Sequence, residues 1–352
     1  MDRGAHTHTG VTVITGYLGS GKTTLLRGLL VHPDLRDTAV IVNEFGEVGL
    51  DHLLVESGSE DVVLLDSGCL CCTMSDSLAD TLADLMFRRA RREIPGFRRV
   101  VIETSGLSDP APILHCLLTD RLVKQHYRLD GLVTVVDALH GLEQLDTTAE
   151  AVKQVAMADR LAISKTDLAA PESTGALRTR LEELNPRAPI LKTINGVVDA
   201  PLDLIEDRMT HDLDLAAAGN DGDQEKAEHR HDGTHDHSAH SHVGTCTFEL
   251  ARPATWAGYD YWVRLLKQYR GADLLRMKGV LQFEDRAAPY FVQSVQHVFG
   301  MPEPLNDWPW PDQRGRLVFI TLDIDRAALA RSLDCLYAPA GIRRPVSAED
   351  AL

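Results

Sequence analysis

Seven short runs of Val, Ile and Leu, each closed by glycine or a polar residue, set the strongest limit on how this chain folds. They are VTVITG (11–16), AVIVNEFG (39–46), VVLLDSG (62–68), RVVIETSG (99–106), GLVTVVDA (131–138), RLAISKTD (160–167) and APILKTING (188–196). Apolar runs without alternation belong to strands covered on both faces, as in parallel sheets. Between them lie helix-like stretches such as KTTLLRGLLVH and DSLADTLADLMFRRARR. Strand–helix alternation over about 200 residues predicts an α/β fold with a doubly wound, mostly parallel sheet.

The pattern stops near residue 211. AAAGNDGDQEKAEHRHDGTHDHSAHSHVG is polar and almost free of large apolar residues. Such a segment cannot bury enough surface to fold and reads as a disordered linker over 211–244. From 245 the order returns. CTFEL and GRLVFITLD read as strands, LLRMKGVLQFED and PYFVQSVQHVFG as a strand pair. ATWAGYDYWVRLLKQYR and IDRAALARSLDCL read as helices. The expected organisation is a nucleotide domain over 1–210, the linker, and a smaller α+β domain over 245–352.

Composition narrows the function. The 352 residues carry 52 Asp and Glu against 36 Lys and Arg, a formal charge of −16. That balance argues against a nucleic-acid partner. It suits either plain solubility or the handling of cations. No apolar run approaches the roughly 20 residues of a membrane span, and the polar start MDRGAHTHTG lacks a signal-peptide core. Six cysteines form no disulfide framework, so a cytoplasmic location without membrane contact is expected.

GYLGSGKT, Gly16 to Thr23, matches the P-loop pattern in full, after a strand and before a helix. Gly16, Gly19, Ser20 and Gly21 let backbone N–H groups curl around phosphate oxygens. Lys22 reaches the β- and γ-phosphates, and Thr23 can ligate Mg²⁺. Glu103 closes a strand where a Walker-B carboxylate stands near Mg²⁺, and Gly106 can approach the γ-phosphate through its backbone. The alternative for Glu103 is a cap on the next turn. SKTD, Ser164 to Asp167, supplies a carboxylate that accepts two hydrogen bonds from guanine, while Lys165 can lie over the base. The usual guanine signature begins with asparagine, so Ser164 loses an amide contact. The same tetrapeptide also reads as a helix N-cap.

GCLCC places Cys69, Cys71 and Cys72 in four positions. Adjacent cysteines have poor disulfide geometry, whereas thiolates suit Zn²⁺ or Cu⁺. Three on one loop leave a fourth position, for which Glu44 is the candidate. Inert buried cysteines, or a redox pair of Cys69 and Cys71, are the other readings. HRHDGTHDHSAHSH adds His229, His231, His235, His237, His240 and His242. Imidazoles at these spacings wrap a borderline metal weakly, or else the tract is only a solvated spacer.

In chain order, the P-loop, NEFGEVGLD, GCLCC, ETSGLSDP and SKTD resemble the CobW-like family of metal-handling P-loop GTPases, related to the urease and hydrogenase accessory GTPases. The resemblance spans 11–340. It implies that Gly19, Gly21, Lys22, Thr23 and Thr24 hold phosphates and Mg²⁺. It further implies that Glu103 is the Walker-B glutamate, Asp167 reads guanine, and Cys69, Cys71 and Cys72 bind metal. The activity it implies is GTP hydrolysis coupled to delivery of a divalent metal to a client metalloprotein. Zinc stands first; Co²⁺ or iron for maturation of one enzyme or of cobalamin is the alternative. A regulatory switch with a purely structural zinc is the third reading.

Overall fold

The computed structural model describes residues 8–35, 37–42, 63–66, 74–205, 243–250 and 252–337. The chain divides into two compact units, 1–208 with 293–301, and 209–292 with 302–352.

The first unit is built on a seven-stranded sheet. Its strands are β1 Thr9–Thr15, β2 Thr38–Val42, β3 Val63–Asp66, β4 Arg99–Glu103, β5 Tyr127–Asp137, β6 Arg160–Ser164 and β7 Ile190–Lys192. They lie in the order β3-β2-β4-β1-β5-β6-β7, and every adjacent pair is parallel. All seven apolar runs therefore become strands. The cause is burial: every residue of β1, β2 and β6 is buried. The chain runs from β1 outward to β2 and β3, returns to β4, then crosses to β5. The end of β1 is thus the crevice where a doubly wound sheet offers a ligand site.

Helix α1, Lys22–Val31, follows β1 directly. Its Leu25, Leu26, Leu29 and Leu30 recur at helical spacing and pack with Ile14, Val40, Val101 and Val133 of the sheet. Each such leucine contributes roughly 1.5–3 kcal/mol by leaving water. Next come α2 Met74–Ala90, α3 Ala111–Thr119, α4 Arg121–His126, α5 Gly141–Thr147, α6 Ala149–Met157, α7 Pro171–Leu184 and α8 Pro201–Ile205. Asp120 separates α3 from α4, its carboxylate accepting from Leu122 N and Val123 N at 2.9 Å. This N-cap satisfies two donors at the helix start.

Residues 243–337 carry an antiparallel sheet of β8 Val243–Leu250, β9 Leu274–Leu281, β10 Tyr290–Val295, β11 Val298–Phe299, β12 Glu303–Pro304 and β13 Gly315–Leu322. The order is β11-β10-β9-β13-β8, with β12 on β10. Helix α9, Trp256–Arg270, buries Tyr259, Trp262, Val263 and Leu266 on one stripe. Trp262 is fully buried, and its Nε1 donates to Ser332 Oγ at 3.1 Å from α10, Arg326–Ser332. The expected α+β character is present. Among the described residues no helix is long and apolar enough to cross a membrane.

Candidate nucleotide site

The loop from Gly16 to Gly21 leaves the end of β1 and turns into α1. Gly21 stands at the N-cap with φ +94°, and no side chain among the described residues caps the helix. The first N–H groups of α1 are therefore left for a ligand, and the helix dipole favours an anion there. A cavity of about 730 Å³ opens at this point, lined by Gly19, Gly21, Lys22, Thr23, Thr24, Gly106 and Lys165 among others. Seven of the residues picked out in the sequence for the nucleotide thus share one space. Gly16 and Ser20 are buried in the loop, and Asp167 is exposed two residues past Lys165.

The loop is tied to its surroundings. Lys22 Nζ donates to Gly16 O at 2.9 Å and to Tyr17 O at 3.3 Å, curling back over the turn. Thr23 Oγ1 donates to Glu103 Oε1 at 2.6 Å. Glu103 is 2% exposed and closes β4, the strand beside β1. The pair sets two hard oxygen donors side by side, the ligand chemistry Mg²⁺ takes. Beyond Glu103, Thr104 Oγ1 donates to Thr15 Oγ1 at 2.8 Å, locking the ends of β4 and β1 together. Gly106 then lies on Leu18. A Cβ there would come within 2.7 Å of the Leu18 backbone nitrogen, so only glycine fits this approach.

The SKTD segment sits at the end of β6. Ser164 Oγ donates to Ser20 O at 2.5 Å, inside the glycine loop. The serine hydroxyl thus ties this segment to the glycine loop. Lys165 holds a left-handed backbone, φ +56°. Its Nζ bridges Gly19 O at 2.8 Å and Asp137 Oδ2 at 2.6 Å. Asp137 is buried at the end of β5 and accepts from Leu139 N at 2.7 Å. The structure therefore gathers three strand ends, β1, β5 and β6, around one loop.

Several site residues carried no assignment from the sequence. Ser105, Leu107, Ser108 and Asp109 also line the cavity. They belong to ETSGLSDP, of which the sequence singles out only Glu103 and Gly106. Asp137 and its ion pair to Lys165 had no local signal, because the partner lies 28 residues away. Glu44, Cys69, Cys71, Cys72 and the six histidines at 229–242 lie outside the described residues. Among the described residues no group of three or more His, Cys, Asp or Glu is arranged to hold a metal ion.

A doubly wound sheet that ends its central strand in this loop makes the chain a P-loop nucleotide-binding protein. Its kind is equally plain. The chain belongs to the CobW/HypB/UreG family, whose nucleotide-binding domain matches residues 10–192, and the cobalamin synthesis protein cobW C-terminal domain matches 243–336. It is 32% identical over 332 residues to the zinc chaperone YjiA of Escherichia coli K12, covering 91% of this chain and 97% of that protein. It is 29% identical over 358 residues to the zinc chaperone CobW of a Sinorhizobium species, covering 92% and 96%. The crystal structure of Zn(II)-bound YjiA GTPase from E. coli superposes with a TM-score of 0.64 at 27% identity, over 94% of this chain and all of that one.

Proposed function

We propose that this protein is a GTP-hydrolysing metallochaperone that binds zinc through Cys69, Cys71 and Cys72 and passes it to a client metalloprotein. The observation that carries the reading is the convergence of the glycine loop, Gly106 and Lys165 on one cavity, with Glu103 bonded to Thr23 and Ser164 to the loop, in a chain whose full-length relatives include named zinc chaperones. Lys22, the glycine loop and the uncapped start of α1 bind the phosphates. Asp167 reads the guanine edge, and Lys165 covers the base. Thr23 and Glu103 would hold Mg²⁺, which when bound offsets the charge that gathers on the phosphates.

In sequence, Glu44 and the three cysteines follow β2 and β3, parallel strands of the sheet whose β1 leads into the glycine loop. Thiolates favour zinc, and Glu44 supplies the fourth ligand. Binding of GTP orders these loops and hydrolysis relaxes them, so metal affinity follows the nucleotide state. The histidines at 229–242 form a weak, fast-exchanging reserve.

The test is a zinc competition titration with GDP and with a non-hydrolysable GTP analogue. A tight site whose affinity differs at least tenfold between the two states is expected, together with GTP turnover. Equal affinity in both states means a structural zinc. Preferred turnover of ATP overturns the guanine assignment.

A further inference from the structure

The loop after β4 is held from two sides. Leu18 of the glycine loop supports Gly106 from one side. From the other, α6 presents two consecutive residues. Gln154 Nε2 donates to Ser108 O at 3.1 Å and to Gly106 O at 3.4 Å. Lys153 Nζ reaches Asp109 Oδ2 at 2.6 Å. The other oxygen of Asp109 accepts from Ala111 N at 3.0 Å, at the start of α3. Both loop atoms that face Gln154 are carbonyl oxygens, so the carboxamide nitrogen must point at them and the flipped amide would fail.

The details point beyond packing. Gln154 is 1% exposed, yet its Oε1 has no hydrogen-bond partner among the described residues. It borders a separate cavity of about 10 Å³, shared with Tyr17 and Gln144, with room for no more than one water. A polar side chain is kept in an apolar position where only its donor end is satisfied. That donor end holds the Gly106 and Ser108 carbonyls toward α6, although both residues line the nucleotide cavity. Peptide bonds here are all trans, so the N–H that follows each carbonyl points the opposite way. Leu107 and Asp109, which carry those N–H groups, both line the nucleotide cavity, and Gln154 does not.

We propose that Gln154, braced by the Lys153–Asp109 ion pair, is a positioning residue that aims the backbone of 106–109 at the terminal phosphate of a bound nucleoside triphosphate. It never touches the nucleotide. Its effect is confined to the phosphate that distinguishes the triphosphate from the diphosphate. The inference rests on the GTPase reading above.

The test compares Gln154→Glu and Lys153→Met with the full-length parent protein, using fluorescent GDP and a fluorescent non-hydrolysable GTP analogue. Gln154→Glu sets a carboxylate against two carbonyls and removes the donor. At pH 8 it should bind the GTP analogue at least tenfold more weakly, keep GDP affinity within twofold, and lose kcat. Towards pH 6 the carboxyl protonates and regains one donor, so the loss should shrink. Lys153 is only partly buried, so Lys153→Met should fold even if the glutamate variant does not. It should lose three- to fivefold for the GTP analogue alone, and Lys153→Arg should restore it. Equal losses for both nucleotides would reduce Gln154 and Lys153 to structural residues. Unchanged GTP-to-GDP ratios in all variants, with a parent that hydrolyses GTP, overturn the positioning role and spare the GTPase. A parent that neither binds nor hydrolyses GTP overturns both.

Discussion

Ser164 joins two segments of the site through one hydroxyl. It is 6% exposed and reaches Ser20 O, so the SKTD segment and the glycine loop share a direct bond. The reach is short because the backbone is close: a Cβ on Gly21 would lie 3.5 Å from the Ser164 hydroxyl. A buried hydrogen bond of this kind is worth about 0.5–1.5 kcal/mol, and the carbonyl left behind is desolvated. Ser164→Ala should therefore weaken GTP and GDP alike by about three- to tenfold in a nucleotide titration, since it loosens the loop under both. Equal affinity in the variant would mean that the bond holds the strand end and not the site. Asp167 calls for a different experiment, because its proposed contact is with the base. Asp167→Asn should weaken GTP by about a hundredfold or more and favour xanthosine triphosphate, whose carbonyl accepts from the new amide. If both nucleotides respond equally, Asp167 does not read the base.

Helix α1 shows what its glycine is for. Gly28 faces the turn after β7, and a Cβ there would stand 2.0 Å from Gly196 O. Gly196 itself holds φ +82° and lies against Thr24 O. In an exposed helix interior, Gly→Ala stabilises by about 0.8–1 kcal/mol. Here the added methyl meets backbone, so Gly28→Ala should instead cost about 1–3 kcal/mol and lower Tm by several degrees in a thermal melt. A rise in Tm would show that the turn yields freely. The same contact explains what the sequence could and could not tell. The strands were legible because burial on both faces leaves unbroken Val/Ile/Leu runs, as in VTVIT of β1. Contiguous motifs were legible because a phosphate loop needs its glycines, Lys22 and Thr23 within one turn. The two-residue strand β12 and the break at Asp120 left no period to detect. Lys165 with Asp137, Asp109 with Lys153, and Gln154 with Gly106 were illegible for another reason. Each pair is made by sheet order, which brings β5, β6 and α6 to one loop, and no local spacing encodes it.

Over the whole molecule the six cysteines fall into two sets, and their chemistry should separate them. Cys116 is 4% exposed on α3. Burial pushes the Cys246 thiol, on β8, up to about 11, with Arg326 opposing the shift. Burial also raises Cys335, and the neighbouring Asp334 adds to it. Only thiolates react with alkylating or disulfide reagents. At pH 7.5 a thiol titrating near 11 is ionised to about one part in three thousand, against about one in ten for an ordinary cysteine. Cys246 should therefore label slowly at neutral pH and about a hundredfold faster at pH 9.5, still on the protonated side of its titration. Cys116 and Cys335 should lag as well. The fast thiols of the native protein should then be Cys69, Cys71 and Cys72, identified by mass spectrometry of labelled peptides. One equivalent of Zn²⁺ should abolish that fast phase and a chelator should restore it, because a coordinated thiolate is no longer a free nucleophile. The slow set should not respond to zinc at all. If zinc leaves the labelling of Cys69, Cys71 and Cys72 unchanged, the proposed claw is wrong. If it protects Cys246 instead, the metal is bound in the second unit and not beside the nucleotide.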